Sequence, residues 1–383
     1  MLERFVSIKE GKIVIIGGGV IGLAIARAIA KRKICRVVLI ERGRLCNEAS
    51  FAAAGMLTPN VECEEYDDFY LACRESNRMF PSLAAELLNE TGMDIELRRD
   101  GAIAVAKSAQ EAEQASEKIA RQIRLGIPVE IISAEQAAKL EPAISPTIAG
   151  AAFYPEDGQV DNRKLSKALA LSARLHGVEV IENTQVTGLL ENGGRVTGIR
   201  AGEMLIEADR VVVAAGAWTD YLLTTLNLPL LGIKPIRGQI MAYFKTALQP
   251  KRIVINSRFY AVPRNDGRLI IGATSEDVGF CKQVLPDSIE ILRRSALEIF
   301  PWLNKLTVGE AVAGLRPFCS DSRPLIGEIP SAPGLLVATG HYRNGILLSP
   351  WTAEIVANEI FNDSHQTIAN PFRPKAITSA SAK

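Results

Sequence analysis

The residue of this chain best suited to grip a small anion is the arginine of Gly314-Leu315-Arg316-Pro317. A guanidinium presents a planar fork of donors that matches both oxygens of a carboxylate, and proline fixes the backbone that follows it. Downstream comes Ala338-Thr339-Gly340-His341-Tyr342-Arg343-Asn344-Gly345, a turn with a second arginine. Near the start, Gly17-Gly18-Gly19-Val20-Ile21-Gly22 supplies Gly-x-Gly-x-x-Gly between an apolar run and a helical pattern. In that fingerprint Gly17 permits the tight turn, Gly19 lets a pyrophosphate approach the backbone, and Gly22 lets helix and strand pack closely. The phosphate charge then rests on a helix N-terminus. Glu41 closes the next apolar run, where a carboxylate accepts hydrogen bonds from a ribose diol. A dinucleotide and a carboxylate-binding arginine together imply oxidation of a small amino acid.

These residues need elements to hold them. Residues 12–16 read as a strand, followed by a helix through Lys33 and a strand over 36–40, which makes a βαβ unit. Helices are expected over 66–89, 108–125, 164–176 and 344–360, with a hairpin-like pair of strands over 94–107. Strands are expected over 178–181, 186–191, 195–201, 210–215 and 335–339. Alternating runs over 239–244, 260–263 and 268–272 read as an antiparallel sheet. The fold class is therefore α/β, with a Rossmann-type domain delivered in three pieces, 1–91, 156–229 and 333–365. A sheet-based second domain comes from 92–155 and 230–332, and 366–383 is a tail, disordered from Pro371 onward.

Three features favour FAD over NAD. Loop 47–59, with Ala52-Ala53-Ala54-Gly55-Met56, is rich in small residues where backbone must lie against a second phosphate and a ring. The apolar strand over 211–216 stops at small residues, and the last strand and helix meet at 340–347.

Bulk properties narrow the class further. The 383 residues suit two domains, and the net charge of +1 carries no basic block, which argues against a nucleic-acid partner. No stretch is long and apolar enough to span a membrane, and Met1–Glu10 lacks the pattern of a secretory signal. Six cysteines without C-x-x-C read as reduced thiols of a cytoplasmic protein, and three scattered histidines leave no metal site.

With its most specific stretches at 49–57, 314–317 and 340–347, the chain resembles the D-amino acid oxidase superfamily, and most closely the glycine oxidase branch known from thiamine biosynthesis. That resemblance implies an FAD domain beside an antiparallel-sheet domain, with substrate held between sheet and flavin. It implies oxidation of small amines by O2 to imine and hydrogen peroxide, and a homo-oligomer. Carried over by motif, Ile21, Gly22, Glu41, Arg42, Ala49, Ser50, Ala54, Gly55 and Met56 contact FAD, with Met56 also touching substrate. Val186 holds the adenine through its backbone. His341, Tyr342, Arg343, Asn344, Gly345, Ile346 and Leu347 lie beneath the flavin pyrimidine. Arg316, Tyr260 and Arg343 form the catalytic and substrate-binding set.

Ser275 stands where some relatives have a larger pocket residue. Cys319 does not match the position of a covalent flavin link, so FAD is expected to bind non-covalently. His341 is expected to pack or hydrogen-bond rather than move protons. The open alternatives are a sarcosine or broad D-amino acid oxidase, a quinone-linked dehydrogenase, and a flavin-binding assembly protein without turnover.

Overall fold

The computed structural model describes residues 11–244, 248–361 and 369–375. Apolar runs place the strands Gly11–Ile16, Cys35–Ile40, Arg210–Val213 and Leu335–Thr339 side by side in parallel. Buried on both faces, such strands carry no alternation, which explains their continuous hydrophobicity. Glu179–Ile181 extends this sheet at one edge and Leu325–Glu328 at the other. The latter strand falls within 230–332, expected with the second sheet. A short connection returns it antiparallel onto Leu335–Thr339 instead, so it joins the first sheet.

Helices Val20–Lys31, Asp68–Thr91, Asn162–Leu175 and Gly345–Phe361 pack on this sheet through one core that includes Leu23, Phe80, Leu165 and Trp351. Asp67 caps the second helix by accepting from the Phe69 and Tyr70 amides, and Asp161 caps the third through Arg163 and Lys164. Buried Arg27 ties three of them together, donating to Ser172 at 2.7 Å and to Glu86 and Glu90 at 2.8 Å.

The second sheet has eight strands, in the order Glu310–Phe318, Lys234–Tyr243, Leu269–Gly272, Tyr260–Pro263, Ile253–Ile255, Ala102–Ala106, Gly150–Tyr154 and Glu130–Ile132. Its pairings are antiparallel except between Ile253–Ile255 and Ala102–Ala106. The hairpin expected over 94–107 does not form. Asp94 accepts from the Glu96 amide, and Glu96 and Gly101 adopt φ of 55° and 86°, which breaks the extended run and leaves only Ala102–Ala106 as a strand. Val186 likewise precedes its strand, which starts at Gly188.

The parallel strands deliver their C-terminal ends to one edge. From Gly11–Ile16 the order runs one way to Cys35–Ile40 and the other way to Arg210–Val213, which opens a crevice at that switch point. Among the described residues no helix is long and apolar enough to cross a membrane.

Residues 366–368 and 376–383 of the expected tail lie outside the described residues, but the part between them is ordered. Phe372 is buried, its ring 5.7 Å from Trp351 and 6.3 Å from Phe69, and its carbonyl accepts from Ile326 at 2.8 Å. Phe372→Ala is expected to cost about 3 kcal/mol, read as a lower urea midpoint with flavin content unchanged.

Candidate active site

The crevice opens around the glycine fingerprint. Gly17 has φ of 113°, and a Cβ there would lie 2.4 Å from the Ala214 carbonyl. A Cβ on Gly22 would lie 1.9 Å from the Gly17 carbonyl, so Gly22 serves close packing rather than lining the cavity. Gly19 meets only the Ser50 hydroxyl, at 3.4 Å, and its open side faces the crevice. Ser50 accepts from the Val20 amide at 3.0 Å and so caps the first helix. Glu41 accepts from the Gly18 and Gly43 amides at 2.7 and 2.8 Å, which fixes its carboxylate at the rim. Arg42 lies 3.9 Å over the Trp218 ring, and both line the cavity beside Thr184 and Val186.

Loop 47–62 forms the next wall. Gly55 has φ of 66°, and its missing Cβ makes room for the Val160 carbonyl. Arg264, buried, clamps the loop by donating to the Ala54 carbonyl at 2.6 Å, Gln159 at 2.9 Å and Asn162 at 3.2 Å. Asn162 in turn donates to the Ser50 carbonyl at 2.8 Å. Ala49, Ser50, Ala54, Gly55 and Met56 are thereby held along one side of the cavity.

The other side comes from the eight-stranded sheet. Gly238 pairs with Gly314 and Ile236 with Arg316 on adjacent strands. This register lays the Arg316 guanidinium across Gly238, where a Cβ would approach it to 2.3 Å. Arg316 donates to the Thr274 carbonyl at 3.0 Å and has no carboxylate partner among the described residues. Tyr260 sits opposite Gly272, whose missing side chain leaves room for the ring. Burial raises the Tyr260 pKa, against the opposing pull of Arg316 and Arg343, so the phenol stays protonated.

The segment after the last parallel strand joins both walls. Gly340 has φ of 76°, the Tyr342 amide donates to the Pro317 carbonyl at 2.9 Å, and Phe318 bridges His341. His341, Tyr342, Arg343, Gly345 and Ile346 line the cavity. Burial lowers the His341 pKa to about 3, and its Nε2 lies 2.9 Å from the Thr352 hydroxyl. Burial thus favours the neutral ring, held by that hydroxyl.

The structure thus gathers Gly17, Gly19, Ile21, Glu41, Arg42, Val186, the loop residues Ala49, Ser50, Ala54, Gly55 and Met56, and His341, Tyr342, Arg343, Gly345 and Ile346 around one cavity with Tyr260 and Arg316. Three expected residues do not line it. Gly22 packs beneath the turn, Leu347 is buried with its carbonyl accepting from Ser76, and Asn344 starts the last helix by accepting from the Leu348 amide. Ser275 is exposed, 3.0 Å from the Tyr342 hydroxyl. Cys319 is buried and does not line the cavity.

Glu62 and Trp218 escaped sequence reasoning. Glu62 accepts from Arg343 at 2.6 Å, yet in sequence it belongs to an acidic run that reads as solvated surface. Among the described residues no cluster of His, Cys, Asp or Glu is arranged to hold a metal.

Residues 12–359 match the family model described as FAD dependent oxidoreductase. The chain belongs to that family. It is 35% identical to the glycine oxidase of Pseudomonas aeruginosa over 91% of this chain and 94% of that protein. The crystal structure of glycine oxidase from Geobacillus kaustophilus superposes with a TM-score of 0.90 at 32% identity, covering 96% of this chain and 100% of that one. The bifunctional protein ThiO/ThiG of Trichormus variabilis is 34% identical over 94% of this chain, which spans only 54% of its length.

FAD is the cofactor of that family, and the cavity of this chain fits it. Gly19 leaves the backbone open where a pyrophosphate would meet the N-terminus of the first helix, and Glu41, held at the rim, would accept from a ribose.

Two outcomes follow from this geometry. Gly238→Ala is expected to displace the Arg316 guanidinium and raise KM for substrate at least about tenfold while FAD remains bound; an unchanged KM contradicts the packing. In NMR titration of the holoenzyme, the His341 ring is expected to show no protonation step above about pH 4, and a step near neutrality counts against its buried, neutral state.

Proposed function

We propose that the protein oxidises glycine, and more slowly sarcosine and small D-amino acids, to the imine. Water then hydrolyses the imine to the 2-oxo acid and ammonia (methylamine from sarcosine), and O2 is reduced to hydrogen peroxide. One observation carries this reading: Arg316 presents a guanidinium without a carboxylate partner, among the described residues, to the cavity that fits FAD. Likeness to ThiO/ThiG supports a role for the imine as precursor of the thiazole of thiamine.

FAD, when bound, supplies the two-electron acceptor for the substrate's Cα–H bond. The chain's own residues do the positioning. Arg316 holds the substrate carboxylate and Tyr260 closes the pocket beside it as a protonated phenol. The helix Gly345–Phe361 directs the positive end of its dipole at the cavity through Gly345 and Ile346, where negative charge must be stabilised. Neither His341 nor Tyr260 is available as a proton acceptor, so the amine sheds its proton to solvent before reacting. Accordingly kcat/KM is expected to rise with pH toward the pKa of the substrate amine.

In this reading the six-stranded sheet and its helices form the cofactor domain and the eight-stranded sheet the substrate domain. FAD is held non-covalently, since Cys319 lies away from the cavity. Six unpaired thiols suit a reducing cytoplasm. A homo-oligomer belongs to the same proposal.

A hydrogen bond to a charged group contributes about 1.5–3 kcal/mol, and about 1.4 kcal/mol is tenfold in affinity. Arg316→Ala is therefore expected to raise KM for glycine at least about tenfold with FAD content unchanged, and Arg316→Lys to recover only part. An unaltered KM in the alanine variant removes Arg316 from substrate binding. Peroxide released in step with O2 consumed separates an oxidase from a quinone-linked dehydrogenase.

A further inference from the structure

We propose that Glu62 restricts this site to substrates with a single carboxylate, by occupying Arg343 and leaving Arg316 to bind one. The inference rests on the reading of Arg316 as the carboxylate anchor and adds a specificity role for a residue outside the sequence motifs.

The substrate end of the cavity carries two guanidiniums, Arg316 and Arg343, and one carboxylate, Glu62. Arg343 donates to Glu62 at 2.6 Å, with the arginine side chain 49% exposed and the glutamate 20%. Arg316 makes only neutral hydrogen bonds among the described residues. The charge left for a ligand is therefore that of one guanidinium. A second carboxylate brought to Arg343 meets the fixed negative charge of Glu62 in a partly desolvated cavity, where like charges repel strongly.

The backbone that presents Glu62 is held in place on both sides. The residues before it are tied to buried Asp157, which accepts from the Asn60 amide at 3.2 Å, the Asn60 side chain at 2.7 Å and the Val61 amide at 2.9 Å. Gln122 donates to the carbonyls of Asn60 and Cys63, on either side of Glu62, at 3.1 and 2.9 Å. Tyr70 donates to the Asn60 side chain at 2.9 Å. This network fixes the loop that presents the carboxylate, and Glu62 raises the pKa of Arg343 in return. The pair is a preorganised, neutralised unit rather than a loose surface contact.

The test compares glycine with iminodiacetate, which is glycine carrying a second carboxylate arm on its nitrogen, using the FAD-loaded enzyme. Glu62→Gln keeps the shape and removes the charge. The ratio of kcat/KM for iminodiacetate to that for glycine is expected to rise at least about tenfold in this variant. It is expected to fall back in the double variant Glu62→Gln, Arg343→Leu. A ratio unchanged by Glu62→Gln, or a gain that survives loss of Arg343, overturns the proposal.

A second measurement needs no variant. Binding of acetate and malonate to the wild-type enzyme, read from the flavin absorption spectrum, is expected to favour acetate at least about tenfold. Equal or tighter binding of malonate overturns the proposal. If the FAD-loaded wild type neither oxidises glycine nor responds to acetate, the underlying reading of Arg316 falls and takes the inference with it. Glycine turnover with the ratio unmoved removes the role of Glu62 alone.

Discussion

A guanidinium held at a fixed place in a cavity, without a carboxylate opposite it, is the feature on which the rest of this structure turns. Arg316 is pinned from both sides, by the Thr274 carbonyl and by the flat backbone of Gly238. Desolvating a cation is costly unless an anion arrives, so the site stores an electrostatic demand that a ligand carboxylate would satisfy. The neighbouring cation makes no such demand, because Glu62 already meets it.

The two sheets are joined where that demand must be coordinated with the cofactor. The strand Glu310–Phe318 carries Arg316 and, one residue on, offers the Pro317 carbonyl to the Tyr342 amide. The same strand packs Gly314 against Ala49 and Ala52 of the cofactor loop, an approach that any larger residue would block. Arg264, just past the strand Tyr260–Pro263 of the eight-stranded sheet, reaches across to hold Ala54. Arg316 and the loop that lines the cavity are thus parts of one braced unit, and orientation of a small ligand would follow from that bracing rather than from many contacts.

Much of this was legible in the sequence where the signal is local. Gly17, Gly19 and Glu41 follow one βαβ unit, and Arg316 lies between residues that stiffen its backbone. Local motifs do not report which side chains face a cavity. Gly22 and Leu347 belong to the right segments but serve packing. The Arg343–Glu62 pair was hidden because its partners lie 281 residues apart. Gly238 and Gly272 carry no chemistry of their own and gain meaning only from strand register, which sets Gly272 opposite Tyr260 and lays Arg316 across Gly238. Phe372 looked like tail because its burial depends on Trp351 and Phe69, far from it in sequence.

The account is tested most directly by mixing the FAD-loaded protein with glycine or with methylamine in the absence of O2. The two share an amine and a Cα–H bond and differ in the carboxylate. Glycine is expected to bleach the flavin absorption, and methylamine at equal concentration to do so at least about tenfold more slowly. Equal bleaching by both, or none by glycine, contradicts a site built around a carboxylate held by Arg316.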